Sequence, residues 1–210
     1  MFNERCSLVN TVSRRQTAPM KLDQDRIVAA ALELMQVEGL DALAMRSLAA
    51  RLGVRASALY WHVADKNRLY ALMAEHFYRT AYRAASCAPD AGNWLETLGR
   101  QFRANLLAYR DSARLCALSP PSVHNTPEVK QRLTVQLISF GMTEGQALNA
   151  IASVLALTLG WVVYEQSETM HEHLRGMLDF DTAYEAGLRA VVEGLAPNCT
   201  SAKSSPRGIT

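Results

Sequence analysis

Between Arg46 and Lys66 the chain gathers side chains able to hold a polyanion. Arg46 and Arg55 bring forked guanidinium donors, Lys66 a point charge, and Tyr60, Trp61 and His62 three consecutive rings with polar edges. Such groups donate hydrogen bonds to phosphate oxygens, and a guanidinium also spans both acceptors on a guanine edge. From Ala42 to Arg68 the charged residues are Arg46, Arg51, Arg55, Lys66 and Arg68 against Asp65 alone. The 210-residue chain nevertheless has a formal net charge of only +2, so the basic character is local.

A second set of candidates is His171, Glu172 and His173. On a helix the two histidines would face different sides and chelate poorly. In a loop they could share zinc with His124. An exposed polar loop is the plainer reading of "HEHLRG", and no metal or cofactor is assigned. A metal-dependent enzyme using His124, His171 and Glu168 is kept as an alternative, although no nucleophile motif, glycine-rich phosphate loop or HExxH run is present. Cys6, Cys87, Cys116 and Cys199 are scattered without metal-ligand spacing and read as reduced thiols of a cytoplasmic protein.

These side chains must be positioned by helices, since helical periodicity recurs along the chain and strand signals are almost absent. The first helix is expected from about Leu22 to Val37, ended by Gly39, and a short second one over Met45–Leu52, broken by Gly53. A third covers about Ala56–Trp61, and Asp65 caps a fourth over Lys66–Ala85. Asn93 with Glu96 reads as a capping box for a fifth helix with the stripe Leu95, Leu98, Phe102, Leu106 and Tyr109. "SPPS" ends a sixth, Thr126-Pro127 opens a seventh, and Thr143 with Gln146 opens a long apolar eighth. That eighth helix contains "ALNAIASVLALTLGWVVY", which approaches the length of a membrane span. Its Asn149, Ser153 and Thr158 favour a buried core or oligomer interface instead. A last helix over about Asp181–Leu195 carries Tyr184, Leu188, Val191, Val192 and Leu195 on one side.

The stretch "LAARLGVRASALYWHVADK" then has a specific reading. Leu48 and Leu52 anchor one helix, Ala49 is the small contact, Gly53 makes the turn, and Val54 and Leu59 pin the next helix. Arg55, Ala56, Ser57, Ala58 and Tyr60 are left facing outward. Residues 22–85, including "VAAALELMQVEGLDALAMRSLAARLGV" and "LYWHV", closely resemble the DNA-binding region of the TetR family of bacterial repressors. With Arg110-Asp111, the likeness is to the tetracycline-repressor branch. It continues more weakly through "NWLETL" and "ALNAIASVLALTLG" and covers most of residues 22–195.

The resemblance implies an all-α fold. A three-helix, helix-turn-helix reading head over residues 21–66 joins, through the fourth helix, a dimerisation and ligand-binding body over 67–197. Residues 1–20 and 198–210 are expected to be a disordered extension, with Met20 as a possible start, and a disordered tail. The implied roles are base reading by Arg46 and major-groove positions for Arg55, Ala56, Ser57 and Ala58. Tyr60, His62 and Lys66 would contact phosphates, with Trp61 partly structural. A homodimer seam would use Leu155, Tyr184, Leu188, Val191, Val192 and Leu195. The branch holds its drug and magnesium with histidines, and Tyr82 and Cys116 stand at two of those positions here. The candidate effector cavity is therefore lined by Tyr82, Phe102, Asn105, Leu115, Cys116, Leu155, Trp161 and Tyr164. The implied partners are a double-stranded DNA operator and a small-molecule effector, with no membrane. An effector-independent DNA-architectural protein is the other alternative.

Overall fold

The computed structural model describes residues 22–121 and 126–195, and among them there are ten helices and no strand. His124, the two terminal segments and Met20 lie outside the described residues. The order is α1 (Gln24–Glu38), α2 (Met45–Leu52), α3 (Ala56–Tyr60), α4 (Lys66–Ala85), α5 (Ala91–Leu107), α6 (Ser112–Leu118), α7 (Pro127–Ser139), α8 (Glu144–Gln166), α9 (Glu168–Leu174) and α10 (Phe180–Leu195).

Local chemistry sets most of these limits. Asp23 caps α1 by accepting from the Arg26 N–H, so the helix begins two residues later than expected. Gly53 closes α2 with φ 68°, a left-handed conformation that a side chain would strain. Asp65 caps α4 and Thr126 caps α7, with proline in the first turn of α7. Thr143 and Gln146 form a reciprocal capping box on α8.

The fifth helix corrects the expectation. Asp90, not Asn93, is its cap and accepts from the Asn93 N–H at 2.8 Å. Glu96 is thereby released from capping and pairs with Arg100. Tyr109 falls beyond the helix. "HEHLRG" is also corrected: most of it is helix α9, which Ser167 caps and Glu168 opens.

In the head, Ile27, Ala31 and Met35 of α1 enclose a core with Leu48 of α2 and Leu59 of α3. α4 packs on α1 but much more extensively on α5, so this helix of roughly 30 Å belongs to both halves. In the body α8 packs against α5, α6, α7, α9 and α10. α8 is long and apolar enough to cross a membrane by composition, yet these contacts account for its inner face as a core helix. Gly99 of α5 lets α8 and α10 close in. A Cβ there would meet Leu188 Cδ1 at 2.8 Å, the Tyr184 hydroxyl at 3.0 Å and Val154 Cγ1 at 3.1 Å. Arg103 of α5 ties the same three helices, donating to Glu165 of α8 at 2.6 Å and pairing with Asp181 of α10 at 2.7 Å. Its guanidinium lies over the Tyr184 ring, whose hydroxyl meets that of Thr158 at 2.9 Å.

Tyr184, Leu188 and Val192 are no more than 3% exposed within one protomer. They are core contacts and leave no side-chain surface for a second copy, which corrects their place in the expected seam. Val191, Leu195 and Leu155 remain partly exposed.

Candidate functional site

The head presents its chemistry on one side of the turn. Arg46 stands exposed in the first turn of α2, Arg55 immediately precedes α3, and Ser57 is exposed on α3. Ala56 and Ala58 are half-buried and keep this five-residue helix slim. Among the described residues no acid pairs with Arg46 or Arg55, whereas nearby Arg51 is held by Glu33 at 2.7 Å. Two unneutralised guanidiniums on an exposed helical face suit phosphate and base-edge acceptors. Tyr60 is 49% exposed and Trp61 90% exposed. Neither ring is packed between helices, so the structural share expected for Trp61 is corrected: it stands in solvent. His62 is exposed as well, and the Lys66 ammonium lies 5.3 Å from the Tyr70 ring centre. Asp65 spends its carboxylate on the Arg68 N–H, so the end of α4 already has an anion.

The head is moored to the body mainly at the C-terminal end of α1, and at the other end by one exposed pair, Arg79 of α4 with Asp25 at 3.0 Å. The Leu40 N–H donates to Asp111 at 2.9 Å, the Arg110 N–H to Gln36 at 2.7 Å, and the Tyr70 hydroxyl to the Leu40 carbonyl at 2.9 Å. Arg114 of α6 grips Asp41 with two bonds of 2.7 and 2.8 Å. Asp111 itself has φ 59°, uncommon for a residue with a side chain. Gln166 at the end of α8 holds this turn, donating to the Leu106 and Tyr109 carbonyls and accepting from the Ala113 N–H. At the other end of α1 a cleft of about 530 Å³ separates Asp25 and Val28 from Val129 and Arg132 of α7.

Inside the body, α4, α5 and α6 converge on rings. Tyr78 stacks on Phe102 at 4.9 Å, and Tyr82 meets Trp94 edge-on at 5.6 Å. The Trp94 indole N–H donates to Gln136 at 3.0 Å. Burial, with Cys116 beside it, pushes the Tyr78 phenol up to about 12, and burial raises that of Tyr82 as well. Burial likewise pushes the Cys116 thiol up to about 12. All three groups are therefore neutral near pH 7. Asn105 follows Phe102 by one turn of α5; its amide nitrogen is buried and has no hydrogen-bond partner. Leu115 is fully buried core beside Cys116 on α6, and Leu155 is partly buried.

Two expected cavity residues are elsewhere. Trp161 packs edge-on against Phe180, on whose ring His171 also stacks. Tyr164 is 45% exposed. Tyr78 and Trp94, not among the expected residues, complete the ring cluster, and the i, i+4 spacing of Tyr78 and Tyr82 on one helix face was the available signal.

This geometry has close counterparts. The profile described as "Bacterial regulatory proteins, tetR family" matches residues 27–73, and "Tetracyclin repressor-like, C-terminal domain" matches residues 88–178. Tetracycline repressor protein class A from transposon 1721 of Escherichia coli is 33% identical over 201 residues, covering 84% of this chain and 91% of its own length.

The chain belongs to the TetR family.

Among solved structures, TetR(class A) in complex with 5a,6-anhydrotetracycline and magnesium superposes with a TM-score of 0.64 at 32% identity, over 83% of this chain and 98% of that one. The Streptomyces coelicolor TetR family protein ActR in complex with (S)-DNPA gives 0.69 at 27% identity, over 85% and 98%. TetR proteins are ligand-responsive, DNA-binding transcriptional regulators and not enzymes, so the reading with His124, His171 and Glu168 is set aside. The effector-independent architectural reading is unsupported for the same reason. Members of the TetR family bind operator DNA and small effectors as soluble dimers.

If Arg46 reads a base, Arg46→Ala relaxes sequence preference at one position per half-site, at a cost of about 1–3 kcal/mol. Lys66→Ala weakens all sequences alike and flattens the salt dependence. Binding selection on randomised operators separates the two, and an unchanged preferred sequence for Arg46→Ala removes it from base reading.

Proposed function

We propose that this chain is a cytoplasmic, homodimeric repressor released from a palindromic operator by a largely apolar, aromatic molecule bound without metal. The division is a reading head over residues 21–66 and an effector and dimerisation body over 67–197. Arg46, Arg55, Ala56, Ser57, Ala58, Tyr60, Trp61, His62 and Lys66 face the DNA. The outward stripe of α8, Ala152, Ala156, Leu159 and Val163, forms the seam with Val191 and Leu195 of α10.

The observation that carries the effector reading is the neutral ring cluster of Tyr78, Tyr82, Phe102, Trp94 and Cys116. Magnesium asks for hard, charged or carbonyl oxygen donors. A neutral phenol and a buried neutral thiol, at the positions where the tetracycline-repressor branch has histidines, do not fit that ion. An aromatic cluster with a few neutral polar groups suits a planar organic ligand.

Release follows from the unequal mooring of α1. Its C-terminal end is tied to the α5–α6 turn by several bonds, while its N-terminal end borders the open cleft with one exposed pair, Asp25–Arg79, to α4, so a shift of α6 tilts the head. An effector that fits the tilted form better displaces the two recognition helices from their spacing of about 34–36 Å. The loss of DNA affinity equals that differential binding, typically about 1–3 kcal/mol.

Trp94, at the ring cluster, is the reporter to keep, and Trp61 and Trp161 are replaced by phenylalanine. Apolar aromatics should change the Trp94 emission of this variant, and should release the operator from the parent protein, equally with magnesium or with chelator. Tight, magnesium-dependent tetracycline binding that frees the operator would overturn this reading.

A further inference from the structure

We propose that the cleft between α1, α4 and α7 is a ligand site separate from the ring cluster, that it takes a small aliphatic monocarboxylate, and that this ligand holds the reading head on its operator. The site and its ligand class stand apart from the effector reading; the effect on the operator rests on the release mechanism given above.

The cleft encloses about 530 Å³, within the range of small-molecule sites. α1 brings Asp25 and Val28 to it, α4 a stripe from Arg68 to Arg79, and α7 Val129 and Arg132. Its apolar part is aliphatic. Val28 and Leu72 are buried, Val129 is half-buried, and no aromatic ring is among the lining residues. A flat aromatic molecule gains more at the ring cluster, whereas this cleft suits a compact alkyl group.

The charges of the lining set the rest of the ligand. Arg68, Arg79 and Arg132 outnumber Asp25 and Glu75 by one. Arg79 is held by Asp25 at 3.0 Å, and Arg68 and Glu75 also have interactions of their own. Of the three guanidiniums, Arg132 has no partner among the described residues. An exposed arginine is satisfied by water, but this one edges a cleft with an apolar base. One molecule can therefore bury its alkyl part and keep its charge at the rim. The guanidinium fork matches the two oxygens of a carboxylate. One cation in excess calls for one negative charge, and a phosphate monoester brings nearly two.

The position of the cleft gives the ligand its effect. It lies between α1 of the head and α7 of the body, at the end of α1 that the exposed Arg79–Asp25 pair joins to α4. A carboxylate gripped by Arg132, with its alkyl group on Val28, bridges that gap. It favours the arrangement in which the cleft has this width and resists the tilt that frees the DNA. Such a molecule is a corepressor, opposed in effect to the ligand of the ring cluster.

The test is calorimetry at constant ionic strength on the full-length dimer, with cyclohexanecarboxylate, its neutral twin cyclohexanecarboxamide and the cation cyclohexylmethylammonium. The carboxylate should bind about tenfold or more tighter than the other two, as a charge-assisted pair provides. Arg132→Gln should abolish that advantage. Arg175→Gln, which removes an equal charge on α9, should preserve it. On an operator duplex selected by the protein itself, saturating carboxylate should strengthen binding about fivefold or more, and the operator should tighten the carboxylate by the same factor. A carboxylate that binds no better than the amide, or that keeps its advantage in Arg132→Gln, overturns the site and leaves the ring-cluster reading intact. Operator affinity that is unchanged or weakened while the carboxylate is bound overturns the corepressor role.

Discussion

Leu188→Glu unfolds the body rather than splitting a dimer. Leu188 is fully buried where α10 crosses Gly99 of α5 and Val154 of α8. An uncompensated carboxylate in such a place costs about 3–5 kcal/mol. Losing the leucine's own burial adds about 2 kcal/mol. The sum rivals the whole stability of an ordinary domain, about 5–15 kcal/mol. Circular dichroism should show lost cooperativity and helix content at room temperature. Val163→Glu is the contrast: Val163 is 40% exposed on the outer stripe of α8. That variant should keep its helix content and elute as a monomer that no longer binds a palindromic operator. A folded, dimeric Leu188→Glu protein would contradict the packing at Gly99, and a dimeric Val163→Glu protein would move the seam off α8.

Arg103→Ala produces the second large effect. The side chains of Arg103 and Glu165 are 12% and 9% exposed, and Asp181 closes the group from α10. Burial pulls the guanidinium pKa down, but its hydrogen bonds to Glu165 and Asp181 more than reverse this, so it is raised. Removing the arginine leaves Glu165 charged, buried and unpaired, at a cost of about 3–5 kcal/mol. For a chain of this size that corresponds to a fall of about 10 °C in Tm. Replacing both partners, Arg103→Met with Glu165→Leu, should recover most of the loss, because well-packed apolar groups substitute for a buried ion pair. A single variant that melts within about 2 °C of the parent would show the network to be dispensable.

How legible all this was in the amino acids depended on the range of the interaction involved. The turn at Gly53, the caps Asp65 and Thr126 and the box at Thr143 and Gln146 are local bonds, spanning three or four residues. Their residue types and spacing were enough. Asn93 was the expected cap of α5, and the folded backbone gives that role to Asp90, three residues earlier. The apolar side of α10 was visible, but periodicity names a face and not its partner. Gly99, far away on α5, is what admits Leu188 and Tyr184 to the interior. The helix-turn-helix that carries the set proposed to face DNA was legible because it follows from one short motif. The ring cluster was only half legible, since Trp94 joins it from a different helix while Trp161, the more conspicuous candidate, turns toward Phe180.

The mooring between head and body also bears on how such proteins diversify. Three of its bonds end on a main-chain group, the Leu40 N–H, the Leu40 carbonyl or the Arg110 N–H. Main-chain groups are present whatever residue occupies the position. At this C-terminal end of α1 the head's side-chain contributions are Gln36 and Asp41. A foreign reading head recombined upstream of Lys66 would therefore inherit effector control if it brought an amide at position 36 and an acid at 41. A head lacking them would leave Arg114 and the Arg110 N–H without their acceptors, and would read its operator deaf to the body. Those two positions act as a compatibility label, through which new operator specificities can be grafted onto an old sensor.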